Sequence, residues 1–525
     1  VSNLRFLIVD ATASGEGIKR SAIDVIGAGC RAIAGVLESF QLEFSITRVE
    51  DVFARSSAFQ SFDIVMVSGM TMDEGAVQRV ARVFDGKIKV LGGPITCDPE
   101  VVGRLGFDVG VWGEGEHAVA GMLSSGFFEE GDVSLLLDVP NIVFPDGSVG
   151  RRVRLSPEEY NRYRPSVSAV RGYSRLPSYR VARVYVEVER GCSNFNRARI
   201  VADRSVCQGC SACDGLKFMD RLGCPQGIPP GCGYCSIPAV YGYPKSKSEG
   251  IIYYEVEGLV RLGVRRIVLS GADFLDYGRE EVIDPPTHPS AGGANTRRIE
   301  NLLRRVSSIP EVRSGRVYLS VENVKPSLLT DDVAALLARY LPNSVVHVGV
   351  ETGDDKHSIL LGRPCTASEA AESVKTAVRH GLRVYTYFIH GLPGQSLRTA
   401  RKTVGMIEAF YRLGVEKVTI YRFKPLPGSA FQDFNPAPPA RRSRTSMLIW
   451  SAAYRFNFER KRQLLGRKLT VLYAGRKGKY VVAYPLREGP TVYVKGVPRL
   501  KVGDEFKVRV TGVISDRLVR GVYAS

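Results

Sequence analysis

Short runs of branched apolar residues recur along the chain, separated by stretches long enough for a helix. In residues 1–150 these runs are Phe6 to Val9, Ile64 to Val67, Ile88 to Leu91 and Val109 to Val111, with a helical stretch through Ile33 to Leu37. Apolar runs without polar alternation belong to strands buried on both faces, so the segment predicts a doubly wound parallel sheet, a Rossmann-like α/β domain. Residues 151–182 are rich in Arg, Pro, Ser and Tyr without a clear period and read as a linker. A second series runs through Val184 to Val188, Ile267 to Leu269, Val317 to Ser320, Val345 to Val348, Val384 to Ile389 and Val418 to Tyr421. Helical stretches such as Ile252 to Leu262 and Ala367 to His380 lie between them. Six strand–helix units predict a (β/α)6 partial barrel over 183–445, with its site at the carboxyl ends of the strands. After a basic connecting segment, 446–463, alternation shortens to Leu469 to Tyr473, Tyr480 to Ala483, Val492 to Val494 and Glu505 to Val510. That pattern predicts a small β-barrel over 464–525.

No charge-free apolar run reaches the roughly eighteen residues of a membrane span, and the first ten residues read as a buried strand rather than a cleavable leader. A cytoplasmic protein with no membrane partner is therefore expected. The 525 residues carry 72 Lys and Arg against 54 Asp and Glu, a net charge of +18, which favours polyanionic partners through counterion release. From Leu464 onward thirteen Lys and Arg face four Asp and Glu, so the terminal β-module is basic, and Tyr473, Tyr484 and Tyr493 are expected on its surface for base stacking. Seven of the ten cysteines crowd between Cys192 and Cys235, with only Cys30, Cys97 and Cys365 elsewhere. A disulfide scaffold is not expected in a large cytoplasmic chain, so the crowding points to metal.

Glu189-Arg190-Gly191-Cys192 ends the first barrel strand, and 39 residues separate Cys192 from Cys232-Gly233-Tyr234-Cys235. The insertion, 193–231, carries Cys207, Cys210, Cys213 and Cys224. Paired thiolates at this spacing can meet on one ion or one face of a cluster, and soft sulfur selects iron or zinc. Seven thiols divide into three, which leave one iron of a 4Fe-4S cluster open, and four, which close an auxiliary cluster or a zinc site. Either Cys192 or Cys224 completes the set with Cys232 and Cys235. Cys192 is favoured because it directly follows the strand.

Gly191-Cys192 with Cys232 to Pro238 resembles the cluster loop of radical S-adenosylmethionine (SAM) enzymes, in which the open iron takes the amino and carboxylate groups of SAM. In that family the first two cysteines usually stand close together, unlike here. Further segments follow in the family's order: Ser270 to Asp273, where a Gly-Gly-Glu usually receives the methionine amino group; Val348 to Asp354; Tyr387 to Gly394; and Tyr421 to Gly428. The resemblance, over about 184–430, implies a 4Fe-4S cluster on Cys192, Cys232 and Cys235. It also implies contacts to SAM from Tyr234, Gly271, Asp273, Glu351, Gly391 and Phe423, and an electron donor such as ferredoxin or flavodoxin.

The flanking domains extend the resemblance. Val90 to Pro94 and Trp112 to Glu116 resemble the cobalamin-binding-type domain that precedes many radical SAM barrels, although no Asp-x-His-x-x-Gly is present to supply a histidine to cobalt. The last sixty residues resemble a TRAM domain, a small RNA-binding barrel. This order of domains is similar to that of the tRNA methylthiotransferases, which implies RNA, tRNA above all, as the substrate. Those enzymes place three cysteines in their N-terminal domain, where this chain has only Cys30 and Cys97. The alternative is a cobalamin-dependent radical SAM methylase or rearrangement enzyme acting on a small molecule or protein.

Overall fold

The structure is a computed structural model that describes every residue except 1–3, 20–21, 175–177, 209, 211, 214, 216, 498 and 525. The chain forms two compact units, one of residues 1–186 with 247–264 and the other of 187–246 with 265–525.

The first unit is built on six strands: β1 (Arg5–Asp10), β2 (Glu43–Arg48), β3 (Ile64–Ser68), β4 (Ile88–Gly92), β5 (Val109–Val111) and β6 (Ile142–Val143). They lie in the order β2-β1-β3-β4-β5-β6, parallel except for the antiparallel β6. Phe6, Leu7, Ile8 and Val9 are essentially inaccessible, as an uninterrupted apolar run requires. The sequence pattern missed β2, an edge strand whose Glu43, Ser45 and Thr47 break the apolar run, and the two-residue β6. Strand order reverses at β1, the topological switch point where open α/β sheets bind ligands. The loops leaving β1 and β3 are fixed there. Asp73, inaccessible to solvent, accepts the backbone N–H groups of Ala13, Gly15 and Met70 at 2.9, 2.7 and 3.0 Å. Residues 157–173 pack into this unit through the turn Ser168–Tyr173, whose Tyr173 is buried, and a fully buried Arg31–Glu255 ion pair ties in the helix Glu249–Arg261.

The six barrel strands expected from the sequence are present. β7 (Arg183–Glu187) carries the chain from the first unit into the second, which contains β8 (Arg266–Ser270), β9 (Tyr318–Glu322), β10 (Val345–Glu351), β11 (Arg383–His390) and β12 (Lys417–Arg422). β8 pairs in parallel with β9, and β10, β11 and β12 pair in parallel in that order. A parallel bridge between Val324 and Val348 joins the two groups, and the Val188 N–H donates to the Ser270 carbonyl at 2.8 Å. Strand carboxyl ends therefore point to one side, where the cysteines lie.

The same unit ends in a closed five-stranded barrel: β13 (Lys468–Lys477), β14 (Tyr480–Pro485), β15 (Thr491–Lys495), β16 (Glu505–Val513) and β17 (Leu518–Ala524), in the order β13-β14-β15-β17-β16. Its core is almost wholly valine with Phe506. The sequence pattern did not show β17, because Arg520 and Gly521 interrupt it. A Cβ at Gly521 would lie 2.2 Å from Val508, so the residue that obscures the strand is the one that lets it pack. One of the three tyrosines expected on the surface is not there: Tyr484 is buried, since Ala483 to Pro485 are covered on both faces, while Tyr473 is half-buried with one side against the valine core. Tyr493 is half-buried and stacks on Tyr480, with ring centroids 5.6 Å apart. No helix among the described residues is long and apolar enough to cross a membrane.

Candidate active site

Cys192 is carried back to the second cysteine pair by a backbone that only glycine permits. Gly191 has φ +106°, and a Cβ there would lie 2.3 Å from the Tyr243 carbonyl oxygen. The Cys192 N–H donates to the Gly242 carbonyl at 3.1 Å, just past the helical turn Ile237–Tyr241 that follows Cys235. Asn194 then reaches two sulfurs. Its backbone N–H points at Cys192 Sγ (3.4 Å), while its side-chain amide donates to Cys232 Sγ (3.3 Å) and to the Gly362 carbonyl (2.9 Å). Gly233 is clamped between the Leu361 carbonyl and the Phe431 N–H, both at 2.8 Å, and its missing side chain leaves room for the Phe431 ring. Burial pushes the Cys235 thiol up to about 12 and the Cys192 thiol higher still, so both resist ionisation until a cation draws the proton off.

Around these thiols lies a set of buried charges that the sequence pattern did not reveal. Lys325 Nζ contacts Ser193 Oγ and Asp276 Oδ2 at 2.7 Å each and Asp273 Oδ2 at 3.1 Å. Asp276 also accepts the Ser193 N–H (2.9 Å) and pairs with fully buried Arg279 (3.0 Å). Burial lifts the Asp273 carboxyl to about 6 even with Lys325 against it. Asp273, expected to meet SAM, is thus engaged by Lys325. The turn it begins holds another carboxylate instead. A Cβ at Gly271 would lie 2.1 Å from Glu189 Oε1, and that oxygen accepts the Asp273 N–H at 2.8 Å. Glu189 Oε2 is buried with no partner among the described residues, and burial, with the charges of Asp276 and Asp273, holds the group well above the carboxylate range.

On the other side of Cys232, Arg363 donates to the Tyr234 hydroxyl (2.8 Å) and to the Gly349 carbonyl (2.5 Å), and approaches Cys232 Sγ at 3.6 Å. Glu351, with φ +69°, ends β10 beside it. One of its carboxylate oxygens is buried and unpartnered, and burial pushes the group up to about 7. Gly391 and Phe423 lie in the packing beneath. A Cβ at Gly391 would collide with Ala437, and Phe423 is buried in the cluster against which Tyr234 packs. A further polar group joins three strands, with the Tyr387 hydroxyl bonded to the His347 ring and donating to Glu322 at 3.1 Å.

The other four cysteines line a cavity of about 490 Å3 together with Arg197, Arg199, Arg204 and Lys356. Arg221, fully buried, holds the Cys213 carbonyl, and Gln226 donates to Cys207 Sγ at 3.1 Å. Among the described residues no three Cys, His, Asp or Glu side chains come close enough to share a single ion. In the first unit, Cys30 is buried beneath Asp10 and Tyr173, and Cys97 has Arg152 as its charged neighbour.

The fold and thiol loop define a radical SAM enzyme, and the radical SAM superfamily matches residues 222–407. An uncharacterized protein of Methanopyrus kandleri is 38% identical over 98% of this chain and 95% of its own length. Over about half of the chain there is similarity to methylthiotransferases. RimO of Thermotoga sp. strain RQ2, described as acting on ribosomal protein uS12, is 27% identical over 54% of this chain and 63% of its own. The probable threonylcarbamoyladenosine tRNA methylthiotransferase of Pyrococcus horikoshii is 26% identical over 48% and 56%. Among solved structures, the cobalamin-bound radical SAM methyltransferase TsrM of Kitasatospora setae shares the fold over 82% of this chain and 74% of its own, with TM-score 0.55 and 15% identity. The chain belongs to the radical SAM superfamily and, within it, to one family with the Methanopyrus protein. Enzymes of this superfamily use a 4Fe-4S cluster and SAM, and the site fits both: two thiols contacted by Asn194 with Cys235 near each of them, a buried guanidinium beside Cys232, and two buried carboxylate oxygens without partners among the described residues.

Proposed function

We propose that the chain modifies RNA, tRNA in the first instance, by methylthiolation or a related functionalisation of a C–H bond. One observation carries this reading: the compact unit that contains the barrel also ends in a basic β-barrel whose Tyr480 and Tyr493 stack on each other with Lys495 over the Tyr480 ring, a pairing suited to nucleobases and phosphates and expected of a TRAM domain. In this reading Cys192, Cys232 and Cys235 hold the SAM cluster, and Cys207, Cys210, Cys213 and Cys224 hold an auxiliary one. Tyr234 backs the adenine. Glu351 accepts ribose hydroxyls, and Glu189 accepts the methionine ammonium in place of Asp273, which Lys325 occupies. A 4Fe-4S cluster held by Cys192, Cys232 and Cys235 would supply the electron for reductive cleavage of SAM to methionine and a 5′-deoxyadenosyl radical, with a ferredoxin or flavodoxin as the reductant. The protein's share is to orient SAM and keep water from the radical.

The test is anaerobic reconstitution, with iron, sulfide, zinc and cobalt quantified and 5′-deoxyadenosine release measured with and without bulk tRNA. About eight irons per chain and release stimulated by tRNA are expected of two cubane clusters. Four irons with zinc, or indifference to tRNA, overturns the corresponding part.

A second reading, a cobalamin-dependent methylase acting on a small molecule or protein, is favoured by the switch point of the first unit, where Gly69, Gly92 and Gly93 edge the sheet. The chain has no Asp-x-His-x-x-Gly, so in this reading cobalamin sits there without a histidine supplied by that motif. Cobalt copurifying with the protein, without stimulation by tRNA, supports this alternative.

A further inference from the structure

The amino ends of the barrel strands, the side away from the cysteines, form a second site. A cleft of about 670 Å3 runs between the start of β11 and β12 and the terminal β-barrel, all within the second unit. Its lining carries more cations than anions, and the carboxylates present are already engaged. Glu416 is held by Arg383 through two contacts of 2.8 Å, Glu505 by Arg265 at 2.7 Å, and the third carboxylate, Glu488, is buried and is not free either.

Lys461, in the last turn of the helix Arg444–Arg462, also lines the cleft and is 7% exposed. No hydrogen bond or ion pair reaches its ammonium among the described residues. The charged groups nearest it are Lys417 and Arg460, which repel it, and Glu416 and Asp516. Burial, with Lys417 next, lowers its pKa to about 8. The stem of Lys461 is buried while its ammonium keeps access to the cleft, so an incoming anion can complete the contacts that the chain leaves open there. At the mouth stand Arg467 and Arg487, both exposed, and Arg487 Nη2 reaches to 3.7 Å from where a Cβ of Gly315 would be. A compact ammonium at the floor with guanidinium forks at the rim matches the oxygens of a phosphate group better than a planar carboxylate.

We propose that this cleft binds a phosphate group, seated on Lys461 and clasped by Arg467 and Arg487. The phosphate comes either from a polynucleotide strand or from a free phosphorylated molecule, and the cleft is large enough for a nucleotide. The inference does not depend on the RNA reading, since its first test uses phosphate alone.

Calorimetric titration of the full chain with tripolyphosphate is expected to show saturable binding. Lys461→Met and, separately, the surface change Arg487→Glu should each weaken it by at least about tenfold, while circular dichroism shows both variants folded. Competition then separates the sources. If tripolyphosphate displaces RNA from the wild type, the phosphate is the strand's. If RNA binding is unaffected while tripolyphosphate still binds, the ligand is a free phosphorylated molecule. Absence of tripolyphosphate binding by the wild type, or unchanged affinity in both variants, overturns the proposal.

Discussion

Two buried lysines mark the two ends of the barrel, and their surroundings pull them in opposite directions. At the carboxyl end, burial alone would lower the pKa of Lys325, yet Asp276, Cys192 and Asp273 raise it above the ordinary value, so it stays charged and every contact it makes is a matched one. At the amino end, Lys461 makes no matched contact among the described residues, and burial outweighs the pull of Glu416 and Asp516. The first arrangement is a finished internal structure, a cation that fixes the turn bearing Ser193 next to Cys192. The second is incomplete without an anion. Burial of a charge by itself says little about function; whether its counter-charge comes from the chain separates a structural lysine from a binding one.

The largest expected effect tests what the finished end is for. Cys192→Ala should reduce 5′-deoxyadenosine release to background, whereas Cys224→Ala should leave release from SAM alone intact and remove iron only from the auxiliary set. The reverse pattern would mean that Cys224 completes the triad. Next comes Lys325→Met, which strands Asp273 and Asp276 beside Arg279 alone and should cost about 3–5 kcal/mol, read as a lower denaturation midpoint.

Lys461→Met should do the opposite at pH 7 and raise the thermal midpoint, because it removes a charge that burial and Lys417 disfavour more than Glu416 and Asp516 favour it. The pH dependence follows from the depressed pKa. Between about 8 and 10.5 the folded chain binds fewer protons at Lys461 than the unfolded chain, so wild-type stability rises with pH there. Relative to Lys461→Met the gain is about 3 kcal/mol across that window, with none below it. A flat difference between the two proteins would show that Lys461 is paired. The smallest effect concerns Asn194→Ala, which removes one N–H donor to Cys232 Sγ. A change worth about 1 kcal/mol should appear as a more negative reduction potential of the SAM cluster, since hydrogen bonds to sulfur favour the reduced, more negative form.

Much of the scaffold could be read from local pattern. Apolar runs such as Ile64 to Val67 and Val345 to Val348 became buried parallel strands because a residue's hydrophobicity and its neighbours' suffice to decide a strand enclosed on both faces. The strands that escaped were Glu43–Arg48, polar because it lies at an edge, and Leu518–Ala524, interrupted by a glycine whose reason is a valine on another strand. The thiol pairs were equally visible, since two-residue spacing is itself a chemical signal. Arg363, Lys325, Asn194 and Glu189 carry no such signal, and no spacing rule would have selected them.

Sequence by itself determined the succession of α/β sheet, (β/α)6 barrel and small β-barrel, the crowding of thiols at the end of one strand, and the excess of positive charge, because each depends on composition or on neighbours a few residues away. Tertiary structure alone decided that Asn194 touches the sulfurs of both Cys192 and Cys232, that Asp273 is taken by a lysine 52 residues on, that Tyr484 is buried, and that Lys461 finds no ion-pair partner among the described residues. These are properties of pairs remote in the chain, set by closure of the barrel and the seating of the terminal barrel at its amino end. A charge's partners, and therefore its role, exist only after the chain has folded around it.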